Sequence, residues 1–174
     1  VQAPLLIIFG GKITTYRKLA EHALNMLAST IHCSRDLWTA GTALPGGDML
    51  NADFESYFDT LRSSYPKLPQ PLLIRLARAY GTRVARLLRD AHDMENLGED
   101  FGGGLTACEI DYLVEHEWAC TAEDILFRRS KLGLHVSAGA DVAITGYLAK
   151  ARFALGCCGA TDILTQERVD QLSV

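Results

Sequence analysis

No apolar run in this chain approaches the ~20 consecutive residues that cross a bilayer, so no membrane-spanning helix is expected. Positive charge is not in excess. Lys and Arg number 17 against 21 Asp and Glu, the net charge is -4 and the pI is near 5.7. That balance excludes the basic footprint of a general nucleic-acid binder. No basic segment followed by a small-residue cleavage site opens the chain, so no secretory leader is expected. The cysteines Cys33, Cys108, Cys120, Cys157 and Cys158 follow no CxxC spacing, which argues against a metal site. Their odd number, and the adjacency of Cys157 and Cys158, argue against a disulfide framework. They fit reduced thiols in a cytoplasmic protein. His22, His32, His92, His116 and His135 form no HxxxH or HExxH pattern. No Ser-His-Asp order or nucleophile elbow occurs either. Internal repeats and low-complexity segments are also missing.

What is present is enough for a packed core. Hydrophobic residues make up 48% of the 174 residues and charged residues 22%, within the range of one compact domain. The first residue is Val1 rather than Met, which is expected of a processed or subcloned piece. One stretch alone has strand character. Leu5-Leu6-Ile7-Ile8-Phe9 is continuously apolar, as in a strand covered on both faces, and it ends at Gly10-Gly11. A lone strand leaves its edges unpaired, so its sheet partners are expected outside this sequence.

The remaining pattern is helical. Thr14 or Thr15 is a candidate N-cap for a helix with Tyr16, Leu19, Ala20, Ala23, Leu24 and Leu27 on one stripe. Gly41 to Gly47 forms a turn-rich linker. Asn51 or Asp53 can cap a helix carrying Phe54, Tyr57, Phe58 and Leu61. A further helix over Leu72 to Tyr80 stops at Gly81, and Thr82 can cap a short one through Leu88. Gly98 to Gly104 is a loop. Thr106 begins a helix with Ile110, Leu113, Val114 and Trp118 directed inward. Thr121 to Asp124 resembles a capping box for a segment with Ile125, Leu126, Phe127 and Leu132. Ala138 to Leu155 has the strongest helical period, and a last helix is expected over Thr161 to Leu172.

The segment with chemical potential is Gly10-Gly11-Lys12-Ile13-Thr14-Thr15. A buried strand there passes through two glycines into a helix start. Glycine lets a ligand approach the backbone closely. Free N–H groups at a helix start suit an anion or a developing negative charge, and Lys12 adds a mobile cation. This is not a phosphate loop of the GxxxxGK[ST] kind, because Leu6 and Ile13 stand where that motif needs Gly and Ser or Thr. The plain alternative is a tight strand-to-helix turn with a solvated lysine. Two further features carry two readings each. Arg128-Arg129 suits a phosphate or anionic-lipid contact, or an ion-pair network with Glu115, Glu117, Glu123 and Asp124. His116 suits an acid–base role or a plain helix-surface position. Trp38 and Trp118 are expected as core or domain-contact anchors.

Three ordered blocks resemble one known family: Gly10 to Glu21; Leu97 to Gly102 with Tyr112 to Ala119; and Thr121 to Leu134. They are similar to the bacterial aerobic, FAD-dependent glycerol-3-phosphate dehydrogenases and their alpha-glycerophosphate oxidase relatives. The resemblance implies a mainly α fold, a helical C-terminal cap domain preceded by one orphan strand and a helix from the FAD-binding domain. Residues 1–43 would be that remnant and residues 44–174 the all-helical domain. It implies that Gly10, Gly11, Ile13, Thr14 and Thr15 line the flavin of FAD and that Lys12 reaches the substrate side. The longer enzyme would oxidise sn-glycerol 3-phosphate to dihydroxyacetone phosphate and pass electrons to quinone. It would lie in the cytoplasm or on the cytoplasmic membrane surface. The GxGxxG fingerprint of the family is absent here, so this chain alone is expected to be inactive and to hold no FAD. A second reading is a non-catalytic docking domain, for an enzyme body, a membrane face or a second subunit. Self-association through the apolar strand is a further expectation.

Overall fold

The computed structural model describes residues 5–31 and 37–154. Six α-helices are found among them: α1 (Tyr16–Ile31), α2 (Phe54–Ser64), α3 (Gln70–Tyr80), α4 (Val84–Leu88), α5 (Ala107–His116) and α6 (Ala140–Ala154). A π-helical segment, Asp124–Arg129, joins α5 to α6, and short 3-10 turns fill the connections. Cys33, Cys157, Cys158, His32 and the helix expected over Thr161 to Leu172 lie outside the described residues.

Local chemistry explains most of the boundaries. The Asp53 carboxylate accepts from the backbone N–H of Glu55 and of Ser56, both at 3.1 Å, and so caps α2. The Ser56 hydroxyl, which donates to Asp53 Oδ2 at 2.6 Å, together with these bonds holds Asp53 below its ordinary pKa. Gln70–Tyr80 begins with Pro71 in its first turn and stops at Gly81, which has φ of 56°. Thr121 and Asp124 form a reciprocal box: Asp124 N–H donates to Thr121 Oγ1 at 3.1 Å, and Thr121 N–H donates to Asp124 Oδ2 at 3.0 Å. Backbone N–H donation from Cys120, more than any other contact, lowers Asp124 to a pKa of about 2.

The core is one cluster running from Phe58 to Leu148. Leu73, Val84, Leu88, Leu105, Ile110, Ile125 and Ile144 are fully buried in it. Apart from Leu105, in the loop before α5, these positions come from α3, α4, α5, the π-helical segment and α6, so the helices wrap a common interior. Each such side chain contributes roughly 1.5–3 kcal/mol by leaving water.

The turn-rich stretch before α2 is docked, not a free linker. Gly47 N–H closes a turn on the Leu44 carbonyl at 2.8 Å, and Thr82 N–H donates to the Gly46 carbonyl at 2.9 Å. Gly46 and Gly81 meet backbone to backbone at that point. A Cβ on Gly46 would lie 2.4 Å from the Tyr80 carbonyl oxygen, and one on Gly81 would lie 1.9 Å from the Gly46 oxygen. Both residues also have positive φ, so neither position accepts a side chain.

Three expectations need correction. Leu5 to Phe9 do not form a strand; they carry no regular structure, and Leu5 and Phe9 are exposed. The reason is the one that made a lone strand suspect: no neighbouring strand among the described residues pairs with its edges. Thr15 does not cap α1, since its hydroxyl donates to the Lys12 carbonyl at 2.9 Å from within the 3-10 turn Ile13–Thr15. Trp118 does not point inward. Helix α5 ends at His116, Trp118 takes φ of 56°, and its side chain is 85% exposed. Ala119 takes the buried place instead. Trp38 is exposed as well, so neither tryptophan is a core anchor.

Helix α1 contributes no buried residue. Its stripe residues Tyr16 and Leu24 are about half exposed. The stability of the fold therefore rests on the chain after the docked turn. A truncated chain beginning at Leu44 is expected to keep the cooperative thermal transition of the whole, measured by circular dichroism. A broad, non-cooperative melt would show that the first segment belongs to the same folding unit.

Candidate functional site

The glycine turn forms the first half of the candidate site. Lys12 has φ of -66° and ψ of 137°, extended backbone, and Ile13–Thr15 then make one 3-10 turn into α1. The first N–H groups of such a turn have no acceptor within it. Gly10 to Thr15 are all exposed. Neither glycine has positive φ. A Cβ on Gly10 would meet nothing within 4 Å, and one on Gly11 only the Thr15 hydroxyl at 3.7 Å. Within this chain, then, neither conformation nor crowding requires glycine at either place, in contrast to Gly46 and Gly81. The six residues named from sequence are brought together on one exposed turn, with Lys12 unpaired by any acidic group among the described residues.

The helix behind the turn is tied to the docked segment by a small polar contact. Arg17 Nη1 donates to Glu21 Oε1 at 3.1 Å and to Thr39 Oγ1 at 3.4 Å, and the Thr39 hydroxyl donates to Glu21. Above this contact an open groove of about 440 Å3 runs between α1 and residues 38–45, with Tyr16, Leu24, Trp38 and Leu44 on its walls. This helix has an apolar face with little to cover it.

A second polar centre lies inside the core, and the sequence reading did not single it out. Glu109 is 1% exposed. Arg75 donates through Nη1 to Glu109 Oε1 at 2.9 Å and through Nη2 to Oε2 at 2.6 Å, a two-pronged pair. Arg75 Nη2 also donates to the Gly104 carbonyl at 2.6 Å, and the Tyr80 hydroxyl donates to Glu109 Oε1 at 2.6 Å. Burial and the carboxylate beside it push the Tyr80 hydroxyl well above its ordinary pKa. Burial works against the charge of Arg75, but its contact with Glu109 outweighs that and raises it. Tyr80 packs edge-on against Tyr112, with ring centres 5.3 Å apart. The sequence signal for Glu109 is its place alone, one turn before Tyr112 and Leu113 on the inward stripe of α5, which does not by itself mark a carboxylate as buried.

Arg128 and Arg129 take different partners. Arg128 pairs with Asp124 in its own segment at 2.7 Å and with Glu123 just before that segment at 2.8 Å. Arg129 Nε donates to the Glu117 carbonyl at 2.7 Å, across to the end of α5. His116 lies 3.7 Å from Glu115 and against the Tyr112 ring, at the end of its helix. No group of His, Cys, Asp and Glu among the described residues has the arrangement of a metal site.

Residues 37–149 match the model of the C-terminal domain of alpha-glycerophosphate oxidase. The chain belongs to this family. It is 50% identical over 147 residues to a glycerol-3-phosphate dehydrogenase of Pseudomonas aeruginosa, covering 84% of this chain and 28% of that protein. It is 46% identical over 135 residues to the D-erythritol 1-phosphate dehydrogenase of Brucella abortus, covering 78% of this chain and 27% of that one. It is 43% identical over 147 residues to the aerobic glycerol-3-phosphate dehydrogenase of Escherichia coli, covering 84% and 29%. The chain thus spans under a third of the length of these relatives, in their C-terminal part. Its mainly helical architecture agrees with a helical C-terminal domain. Among the described residues, no helix is long and apolar enough to cross a membrane.

The buried pair generates an expected outcome. E109Q leaves the Arg75 guanidinium without its counter-charge in the interior and is expected to cost about 3–5 kcal/mol in urea unfolding. E109L combined with R75M should cost less than either single change. Additive losses in that cycle would mean that the two side chains act independently.

Proposed function

We propose that this chain is the C-terminal part of an FAD-dependent enzyme that oxidises sn-glycerol 3-phosphate to dihydroxyacetone phosphate, with quinone as the electron acceptor at the cytoplasmic membrane surface. The observation that carries the reading is the glycine turn. Gly10 and Gly11 stand in open space where this chain itself asks nothing of them. Glycine at such a place answers to close approach by something outside the chain. The free N–H groups at the start of the turn and the exposed Lys12 fit an electron-rich, anionic group. The three blocks of resemblance and the relatives at 43–50% identity support the same assignment.

The chain's own residues have distinct roles under this reading. Gly10, Gly11, Ile13, Thr14 and Thr15 would hold the flavin, with their backbone turned toward negative charge. FAD, when bound, supplies the hydride acceptor. Lys12 would bind and orient the phosphorylated substrate by its ammonium charge. The helical domain after the docked turn would cover the FAD-bearing body and hold α1 in register with it. Residues 1–43 would belong with that body and residues 44–174 would form the cap.

The relative from Brucella abortus acts, by its name, on a four-carbon polyol phosphate. This favours a second reading in which the substrate is a longer polyol phosphate and Lys12 serves its phosphate in the same way. The docking-domain reading is compatible with both, since a cap contributes contacts rather than chemistry.

One dye-reduction experiment separates these readings. This chain alone, supplied with FAD and glycerol 3-phosphate, is expected to show no turnover. In the longer enzyme, K12A is expected to lower kcat/KM about a hundredfold or more, the scale of one charge-assisted contact to the bound substrate, while FAD content stays near that of the wild type. Turnover by this chain alone, or normal kinetics in K12A, would overturn the assignment. Faster turnover of erythritol phosphate than of glycerol 3-phosphate would select the second substrate.

A further inference from the structure

A cavity of about 460 Å3 lies far along the chain from the glycine turn, where the docked segment meets α3 and the end of α5. Its walls combine apolar and charged groups. Met49, Phe54 and the Tyr80 ring supply apolar surface, and Arg78, Arg83 and Glu117 supply charge. The Gly46–Gly81 backbone contact fixes its rim, because the two segments there are in van der Waals contact and bonded through Thr82 N–H.

The polar groups in this cavity are poorly satisfied. Arg83 makes no salt bridge among the described residues, whereas Arg75, Arg89 and Arg128 each do. Its one side-chain bond goes from Nη1 to the Tyr112 hydroxyl at 3.3 Å. That hydroxyl donates onward to Glu117 Oε1 at 3.4 Å. Both distances lie at the weak end of the range. Arg78 lines the same space with no ion pair of its own among the described residues. On the other side of the docked turn a second, wider hollow shares Pro45, Gly46 and Arg83 and adds Arg86 and Asp48. Around the turn three guanidinium groups therefore face two carboxylates. The local balance is positive in a chain whose net charge is -4.

We propose that this cavity binds a small organic anion, with its phosphate or carboxylate at Arg83 and Arg78 and a flat apolar body against Tyr80 and Phe54. A guanidinium offers paired donors that match either anion. The aromatic rings add contact area at low conformational cost. The long Arg83–Tyr112 bond is the one such a ligand would replace, which leaves the hydrogen bonds of the Arg75–Glu109–Tyr80 centre intact behind it. The site is separate from the glycine turn, so it stands or falls independently of the flavin assignment.

Calorimetric titration of the 174-residue chain tests this, with phenyl phosphate as probe and inorganic phosphate and phenol as its two halves. Phenyl phosphate is expected to bind at millimolar concentration or below, and each half about tenfold more weakly or worse. R83Q should weaken phenyl phosphate about tenfold, the scale of one charge-assisted contact, with an unchanged melting temperature. R78Q, on the exposed side of α3, provides the second variant if R83Q does not fold and should weaken binding in the same sense. Three results would overturn the proposal: no binding of phenyl phosphate, equal binding by the variant that folds, or equal binding of either half-probe.

Discussion

Glu109 is the constraint around which the helical part of this chain is arranged. A carboxylate at 1% exposure is costly to bury unless its lone pairs are used. Here they accept from Arg75 on α3 and from Tyr80 at the end of the same helix. Arg75 in turn reaches the Gly104 carbonyl in the loop before α5. One side chain thereby sets the relative position of α3, α5 and the glycine loop between them. Tyr80 also delivers the chain to Gly81, where the Gly46 contact begins. The docked turn, the elbow into α4 and the cavity beside them all follow from where α3 ends. Apolar burial supplies most of the stabilisation, but it is non-directional. The two-pronged pair supplies direction.

The first 31 residues answer to a different constraint. Leu5 to Phe9 have the composition of a strand covered on both faces, yet all but Leu6 lie exposed and none pairs with a strand among the described residues. Helix α1 has a regular backbone and an apolar stripe, but none of its residues is buried. Gly10 and Gly11 stand where nothing in the chain requires glycine. Each feature is inconsistent with the local energetics of this chain taken alone. All three become consistent if a larger body packs there, and the curated relatives are about three times as long.

Much of the fold was legible because its signals are local. The Asp53 cap, the stop at Gly81 and the box of Thr121 with Asp124 need only neighbouring residues. The inward positions Phe58, Leu61, Ile110, Leu113, Ile144 and Leu148 follow from helical period. What stayed hidden depends on distant partners. Glu109 sits on the inward stripe of α5, but a carboxylate there reads as buried only when Arg75 and Tyr80, 34 and 29 residues away, are seen to meet it. Trp118 follows the apolar pattern of α5 past the point where the backbone turns to positive φ. The Leu5 to Phe9 run has strand composition, but no strand partner occurs among the described residues. The contact of Gly46 with Gly81 has no pattern in either segment by itself. The candidate turn was legible as a motif; the absence of any demand for its glycines among the described residues is visible only in the structure.

The central claim is that α1 and the glycine turn pack against a body outside this chain, while the helices from α2 onward fold on their own. Hydrogen–deuterium exchange resolved by residue tests it most directly, comparing this chain with the longer enzyme. In this chain the amides of α1 should exchange orders of magnitude faster than those of α3 and α5, since no buried side chain holds the helix closed. In the longer enzyme they should become as slow as the core. Core-like protection of α1 in this chain alone, or no gain in protection in the longer enzyme, would contradict the account.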